Sequence, residues 1–461
     1  MKKRSFGISV ALIPAIFTLA GPTMLEQFMQ TAVQYVDTAM VGTLGTAATA
    51  AVGATTTVNW LIGSTVSAVS TGFLSFVAQA MGAGKRDEAR RAASQATLAV
   101  LSLGLFFTLV PLAMSGVIPV LMQVDESIRS LSSLYFFIIY TPMLFRVATI
   151  VFGTLLRAVG DTRTPMKIGI IINIINVTLN AAMIYDELTL PFFGGVTIPL
   201  FGMGVVGAAV ATAISYAVGG VLITLALYKN KDISPKGESL KPDRSILSAC
   251  LKVAVPNACQ RFGTSLGYVA FAAMVNSLGE ISTAAHTIAN TVESAFYIPG
   301  YGMQTATATL TGNAYGARDE KKITELTRTI IFLEVMMMIV SGGLLFIFAP
   351  SMMRLFSSDE SVISLGATVL RLVALSEPFY GVSIVIEGMM HGMGKTTYSM
   401  VSNITGMWLV RIVGTYICIN LLSGTLVSAW VCMILHNLLI FALYAIYFAR
   451  GKWKRTEINI A

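Results

Sequence analysis

Charge is what this chain has least of. Asp, Glu, Lys and Arg make up 12% of its 461 residues, about half the share of a soluble domain. With 55% hydrophobic residues, that scarcity excludes a water-soluble globular protein. Histidine is rarer still, and the three residues His286, His391 and His436 are too scattered to form a metal-binding motif. The four cysteines, Cys250, Cys259, Cys418 and Cys432, show neither CxxC spacing nor the framework of a secreted disulfide domain. All four are expected to be small buried apolar residues. No Ser/His/Asp or Cys/His arrangement suggests an enzyme. A phosphate loop is missing too, because five residues separate Gly388 from Gly394-Lys395-Thr396 where the motif requires four.

In place of charge there are apolar runs. Stretches of about twenty residues or more recur between short basic or Gly/Pro-rich breaks, about twelve in all, and most could cross a hydrocarbon core of about 30 Å. They are continuously apolar rather than alternating, which predicts helices and not a barrel. The chain thus reads as an all-α integral membrane protein of about twelve transmembrane helices. Met1 to Arg4 followed by an apolar run has the outline of a signal peptide. The run continues past Pro22 with a polar face, however, so it is read as the first span.

Lysine and arginine collect on one side of the predicted spans, from Lys2, Lys3 and Arg4 through Lys85 to Arg91, Arg157 to Lys167, Lys229 to Lys252, Arg318 to Arg328 and Lys395 to the tail at Arg450 to Arg455. The opposite side keeps little beyond Arg129, Arg354 and Arg371. The positive-inside rule then puts both termini in the cytoplasm. The net charge of +8 is topological and implies no nucleic-acid partner.

The chain repeats itself. A shift of 256 − 22 = 234 aligns Pro22 with Pro256, Leu44-Gly45 with Leu278-Gly279, Gly82-Ala83 with Gly316-Ala317, and Gly160 with Gly394. It fails only at Tyr185 to Gly204, which is longer than its counterpart near Leu421. The predicted organisation is an N-terminal six-helix lobe over 1–228, a polar linker over 229–245 and a C-terminal six-helix lobe over 246–461. An even number of spans gives both halves one orientation, related by an axis along the membrane normal.

Within this apolar chain the polar residues are selective. Glu26, Gln30, Gln34 and Asp37 share one face of the first span, at offsets of four, eight and eleven. A carboxylate at mid-membrane costs roughly 2.5–3.5 kcal/mol, so Asp37 should face protein or water and mark a path for ions or substrate. Asn173, Asn176 and Asn180 form a second stripe in the fifth span. A carboxylate with amide and hydroxyl oxygens suits a hard monovalent cation, and the same low-dielectric setting suits a proton carrier. Under the shift Glu26 becomes Gln260, Gln34 becomes Tyr268 and Asp37 becomes Phe271, so the acid belongs to one copy only. Glu26, Gln30, Gln34, Arg261 and Glu293 are candidates to line a substrate cavity. Pro22 and Pro256 remove a backbone hydrogen bond inside the first span of each half and are candidate hinges. Glu293, Glu334, Glu377 and Glu387 lie in apolar runs and are expected to be hydrogen-bonded near helix ends or kinks. No metal is expected apart from Na⁺ at Asp37.

Four motifs in order, VDTAMVGTLG (36–45), VAQAMGAGKRDEARR (77–91), LLRAVGDTRTP (155–165) and GAAVATAIS (207–215), with second-half copies from Pro256, resemble the multidrug and toxic compound extrusion (MATE) family. The resemblance implies a twelve-helix antiporter of two lobes with a central cavity, exporting organic cations, drugs or other amphipathic toxic compounds against inward Na⁺ or H⁺. It also implies a cation site at Asp37, Asn176, Asn180 and Thr212, no further cofactor, and a monomer in the cytoplasmic membrane. A glutamate that some members place in the seventh helix falls on Thr264 here, which puts a second-lobe site in doubt. The alternatives are a flippase for a lipid-linked precursor, suggested by Arg146, Arg261 and Arg411, and a non-transporting receptor or scaffold.

Overall fold

The computed structural model describes residues 9–122, 124–190 and 196–454. Lys2, Lys3, Arg4 and Arg455 of the predicted basic side lie outside the described residues. Helices dominate, as they must where lipid offers the backbone no hydrogen-bond partner. The first half comprises α1 (Ile13–Gly42), α2 (Thr46–Gly82), α3 (Arg86–Ala113), a single turn α4 (Ile118–Leu121), α5 (Glu126–Tyr140), α6 (Met143–Ala158), α7 (Arg163–Ile184) and α8 (Gly204–Lys229). The second comprises α9 (Arg244–Asn276), α10 (Glu280–Phe296), α11 (Ile298–Gly316), α12 (Glu320–Arg354), α13 (Glu360–Ala374), α14 (Glu377–Gly392), α15 (Thr396–Thr405), α16 (Val413–Tyr416) and α17 (Leu426–Ala449). The helix from α15 onward is widened by π-helical turns at Gly406–Ile412 and Ile417–Leu421.

Eight described helices are long and apolar enough to cross a membrane, and two bent pairs, α5 with α6 (47°) and α13 with α14 (55°), bring the number to ten. The remaining two of the twelve spans are α9 and the α10–α11 pair, which sit at the repeat positions of α1 and α2 and are more polar. The repeat is literal at the level of helix ends. Adding 234 to the ends of α5 and α6 gives the ends of α13 and α14, and adding it to the ends of α2 gives the start of α10 and the end of α11. Turn geometry repeats as well: Gly45 and Gly279 have φ of 101° and 100°, where only glycine escapes a Cβ clash. Asp125 caps α5 through Ser127 N (2.9 Å), and its repeat partner Asp359 caps α13 through Ser361 N (2.8 Å). The side-chain and backbone bonds from Ser127 hold the exposed Asp125 carboxyl below the usual carboxylate range. One short antiparallel hairpin, β1 (Glu187–Leu190) with β2 (Val196–Pro199), lies in the stretch where the repeat fails.

The described residues form two compact units. One draws on residues 9–24, 74–85 and 248–454, the other on described residues of 25–73 and 86–247. Neither is a continuous stretch of sequence. In the first, Ile16, Leu19 and Ala20 of α1 pack on Met303, Ala306, Ile330 and Val385. The ends of α2 and α11 also meet there in a self-complementary contact: a Cβ on Gly82 would lie 1.8 Å from the Asn313 carbonyl oxygen, and one on its repeat partner Gly316 would lie 1.9 Å from that of Gln79. Glycine permits backbones to touch where lipid supplies no hydrophobic drive between helices.

The expectation of four buried cysteines is half right. Cys250 and Cys432 are buried, but Cys259 is exposed and Cys418 intermediate, because a thiol is apolar enough to lie against lipid as well as protein.

The Gly82 contact leads to a stability expectation. Gly82→Val should destabilise the protein by at least the ~1–3 kcal/mol of ordinary overpacking, lowering its thermal unfolding midpoint in detergent. A variant as stable as the parent would show that the helix ends do not depend on touching.

Candidate functional site

Helical spacing brings the first-half site together. Asn176 and Asn180, one turn apart on α7, face Asp37 of α1 on one side and Thr212 of α8 on the other. Asn180 Nδ2 donates to Asp37 Oδ1 at 2.7 Å. Both asparagines are buried, and Asp37 is half-buried. The groups around Asn176 fix how its amide is seated: its nitrogen donates to Asp37 Oδ1 (2.8 Å) and Oδ2 (3.2 Å), and its oxygen accepts from Thr212 Oγ1 (3.2 Å). Asn180 Oδ1 is buried with no hydrogen-bond partner among the described residues. The cluster thus holds a carboxylate, two amide oxygens and a hydroxyl. Tyr135 of α5 lies within range of the Asp37 charge, and nothing in its sequence context singled it out.

Glu26 stands apart from this cluster, about 16 Å along α1 from Asp37 at 1.5 Å per residue. It is buried, and Arg157 of α6 donates to its Oε1 (2.7 Å) and Oε2 (2.9 Å). Gly169 packs beside it, where even an added Cβ would meet Glu26 Cγ at an ordinary contact distance of 3.5 Å. Gln30 and Gln34 are exposed on α1, and α1 runs unbroken through Pro22, as α9 does through Pro256.

The second half rearranges the same positions. Gln260, the partner of Glu26 in the repeat, donates through Nε2 to Glu387 Oε1 (2.6 Å), which also accepts from Ser399 Oγ (2.8 Å). Gln304 donates to Glu387 Oε2 (3.1 Å), and Asn403 donates to Tyr444 (2.6 Å) beside it. His391, the repeat partner of Arg157, is 4.0 Å from Glu387. The acid has moved from the first helix of the half to the fourth span while its neighbours stayed polar. Arg261 lies within range of the Glu387 charge. Glu293 accepts a short hydrogen bond from the Tyr297 hydroxyl. Glu334 departs from the expectation of a hydrogen-bonded acid near a helix end: it sits mid-way along α12 and has two buried oxygens with no hydrogen-bond partner among the described residues. Glu377, at the start of α14, has the Tyr297 hydroxyl within hydrogen-bonding reach. Arg146 donates to Asn59 Oδ1 (3.1 Å) and lies 5.1 Å from the Tyr216 ring. No group of three or more metal-ligating side chains occurs among the described residues.

The family model described as MatE matches residues 22–182 and 256–417, one match in each half and each beginning at the repeated proline. A probable multidrug resistance protein NorM of Thermotoga maritima is 27% identical over 96% of this chain and 93% of its own length. A probable multidrug resistance protein YpnP of Bacillus subtilis is 24% identical over 95% of each. The fold is similar to a solved outward-facing multidrug resistance MATE family transporter of the MOP superfamily (TM-score 0.87, 24% identity, 96% of both chains). It is also similar to a MOP superfamily transporter from Pyrococcus furiosus described as having reverse binding-pocket polarity (TM-score 0.86, 23% identity, 96% of both chains).

The Glu26–Arg157 pair can be tested on its own. Arg157→Met leaves a buried carboxylate without its partner and should cost about 3–5 kcal/mol. Adding Glu26→Gln, the residue that the second half carries at this position, should recover part of the loss. An Arg157→Met protein with the parental unfolding midpoint would remove the pair from the stability of the fold.

Proposed function

We propose, since the chain belongs to the MatE family, that it is an antiporter exporting organic cations, drugs or other amphipathic toxic compounds in exchange for inward Na⁺ or H⁺. The observation that carries this reading is the cluster of Asp37, Asn176, Asn180 and Thr212, which gathers a carboxylate, two amides and a hydroxyl inside the first half. The multidrug-resistance names of the relatives support small organic substrates. The transporter works in the cytoplasmic membrane as a monomer with both termini inside, and it uses no cofactor.

In this mechanism the unloaded Asp37 carboxylate is held by the amide nitrogens of Asn176 and Asn180. Binding of the coupling ion neutralises the carboxylate. The change of charge on α1 alters its packing near Pro22, which has no N–H to lock the preceding turn. Drug and ion then weaken each other's binding by the same factor, as linkage requires. Gln30 and Gln34 of the first half, and Arg261 and Glu293 of the second, are the drug-contacting side chains in this reading. Glu26, in contrast, serves its ion pair with Arg157. Arg146, Arg261 and Arg411 each have a separate local environment, so nothing favours a pyrophosphate-holding flippase.

Efflux of a fluorescent organic cation from proteoliposomes, driven separately by a Na⁺ gradient and by a pH gradient, tests the reading. One of the two gradients should drive export, and Asp37→Asn should reduce it at least tenfold without loss of folded protein. Export by Asp37→Asn at the parental rate would sink the assignment of the coupling site.

A further inference from the structure

Arg411 is the least expected side chain in the second half. It is 3% exposed within a membrane span, and no hydrogen bond or ion pair joins it to another side chain among the described residues. Its Nε is buried without a partner. The Glu293 carboxyl lies within range of its charge but forms no ion pair with it, and a buried guanidinium is costly unless something replaces its water. Here two aromatic faces do: Arg411 Cζ lies 4.2 Å from the Phe271 ring centroid and 4.8 Å from that of Tyr268, close enough for a strong cation–π interaction.

Those two rings stand at the repeat positions of Asp37 and Gln34. Arg411 comes to them from the span that corresponds to α7, where Asn176 and Asn180 reach Asp37. A strict shift of 234 pairs Arg411 with Val177. The π-helical turn at Gly406–Ile412 contains Arg411, and such a turn takes in one more residue than an α-helical one. That single residue brings Arg411 to the place of Asn176, and its contact with Phe271 matches the contact of Asn176 with Asp37. In the first half this place holds an acid and oxygen ligands. In the second it holds aromatic faces and a cation that is part of the chain.

We infer that Tyr268 and Phe271 form an aromatic site for a planar organic monocation, which Arg411 occupies as a tethered guanidinium, in the place where the first half takes its exchangeable coupling ion. The comparison with an exchangeable ion rests on the coupling role proposed for Asp37; the aromatic cation site itself does not. The second half then carries its positive charge permanently and takes no ion of its own, leaving one exchanged charge per cycle.

The test uses the full-length protein in nanodiscs and proteoliposomes. Arg411→Ala opens the site, and low-millimolar guanidinium chloride should raise the unfolding midpoint of this variant by several degrees. Equimolar KCl should not, and the parent should respond to neither. Guanidinium should also restore transport by Arg411→Ala roughly tenfold, in keeping with the strength of a desolvated cation–π contact. A folded Arg411→Ala protein whose midpoint responds alike to guanidinium and K⁺ overturns the inference. If Arg411→Ala does not fold, Phe271→Leu decides, because it keeps Arg411 and most of the buried volume but removes the ring face. It should lower both midpoint and transport, and parental values for both overturn the inference. Asp37→Asn separates the two proposals: its failure to abolish transport would count against ion coupling and would leave the guanidinium-dependent midpoint of Arg411→Ala unchanged.

Discussion

A polar group placed in hydrocarbon has to find its partner within the protein, because lipid supplies none. That constraint runs through the whole chain. It makes the backbone helical, it limits charge to 12% of residues, and it turns each remaining intramembrane charge into a local problem with a local answer. Glu26 is answered by Arg157, Asp37 by two amides, Glu387 by Gln260 and Ser399, and Arg411 by two aromatic rings. Glu334 has no such answer among the described residues, so the second half holds buried carboxyl oxygens that its hydrogen bonding leaves open.

Duplication explains why these answers come in related pairs. Helix ends, caps and turn glycines keep one register through most of both halves, because they are fixed by backbone geometry that each copy needs equally. Side chains facing the interior of each half are free of that requirement and have diverged. At the position of Glu26 the second half has Gln260 and supplies the acid from another helix. At the position of Asp37 it has Phe271 and a guanidinium. The scaffold is thus nearly symmetric, while the placement of charge is not.

Much of the candidate site is legible in the sequence. The i, i+4 spacing of Asn176 and Asn180 put both amides on one helix face, and the repeat singled out Asp37 as absent from the other copy. That Thr212 belongs beside them followed only from resemblance to a family, since a lone threonine in a span carries no signal. Tyr135 and the Glu26–Arg157 pair were hidden for a different reason: their contacts join segments as much as 131 residues apart, and helical periodicity carries no information across such distances.

Sequence by itself determined the membrane setting, the helical spans, the repeat and the identity of the rare charged residues, because each of these depends on composition or on spacing along one helix. The tertiary structure alone decided which charges meet. It placed Glu26 in an ion pair, gathered donors around Glu387, and used an added helical residue to carry Arg411 onto the ring that replaces Asp37. Pairing across helices depends on how their faces are turned toward one another, and a π-helical turn or a glycine contact can change that facing without altering the hydrophobic pattern from which the spans are read.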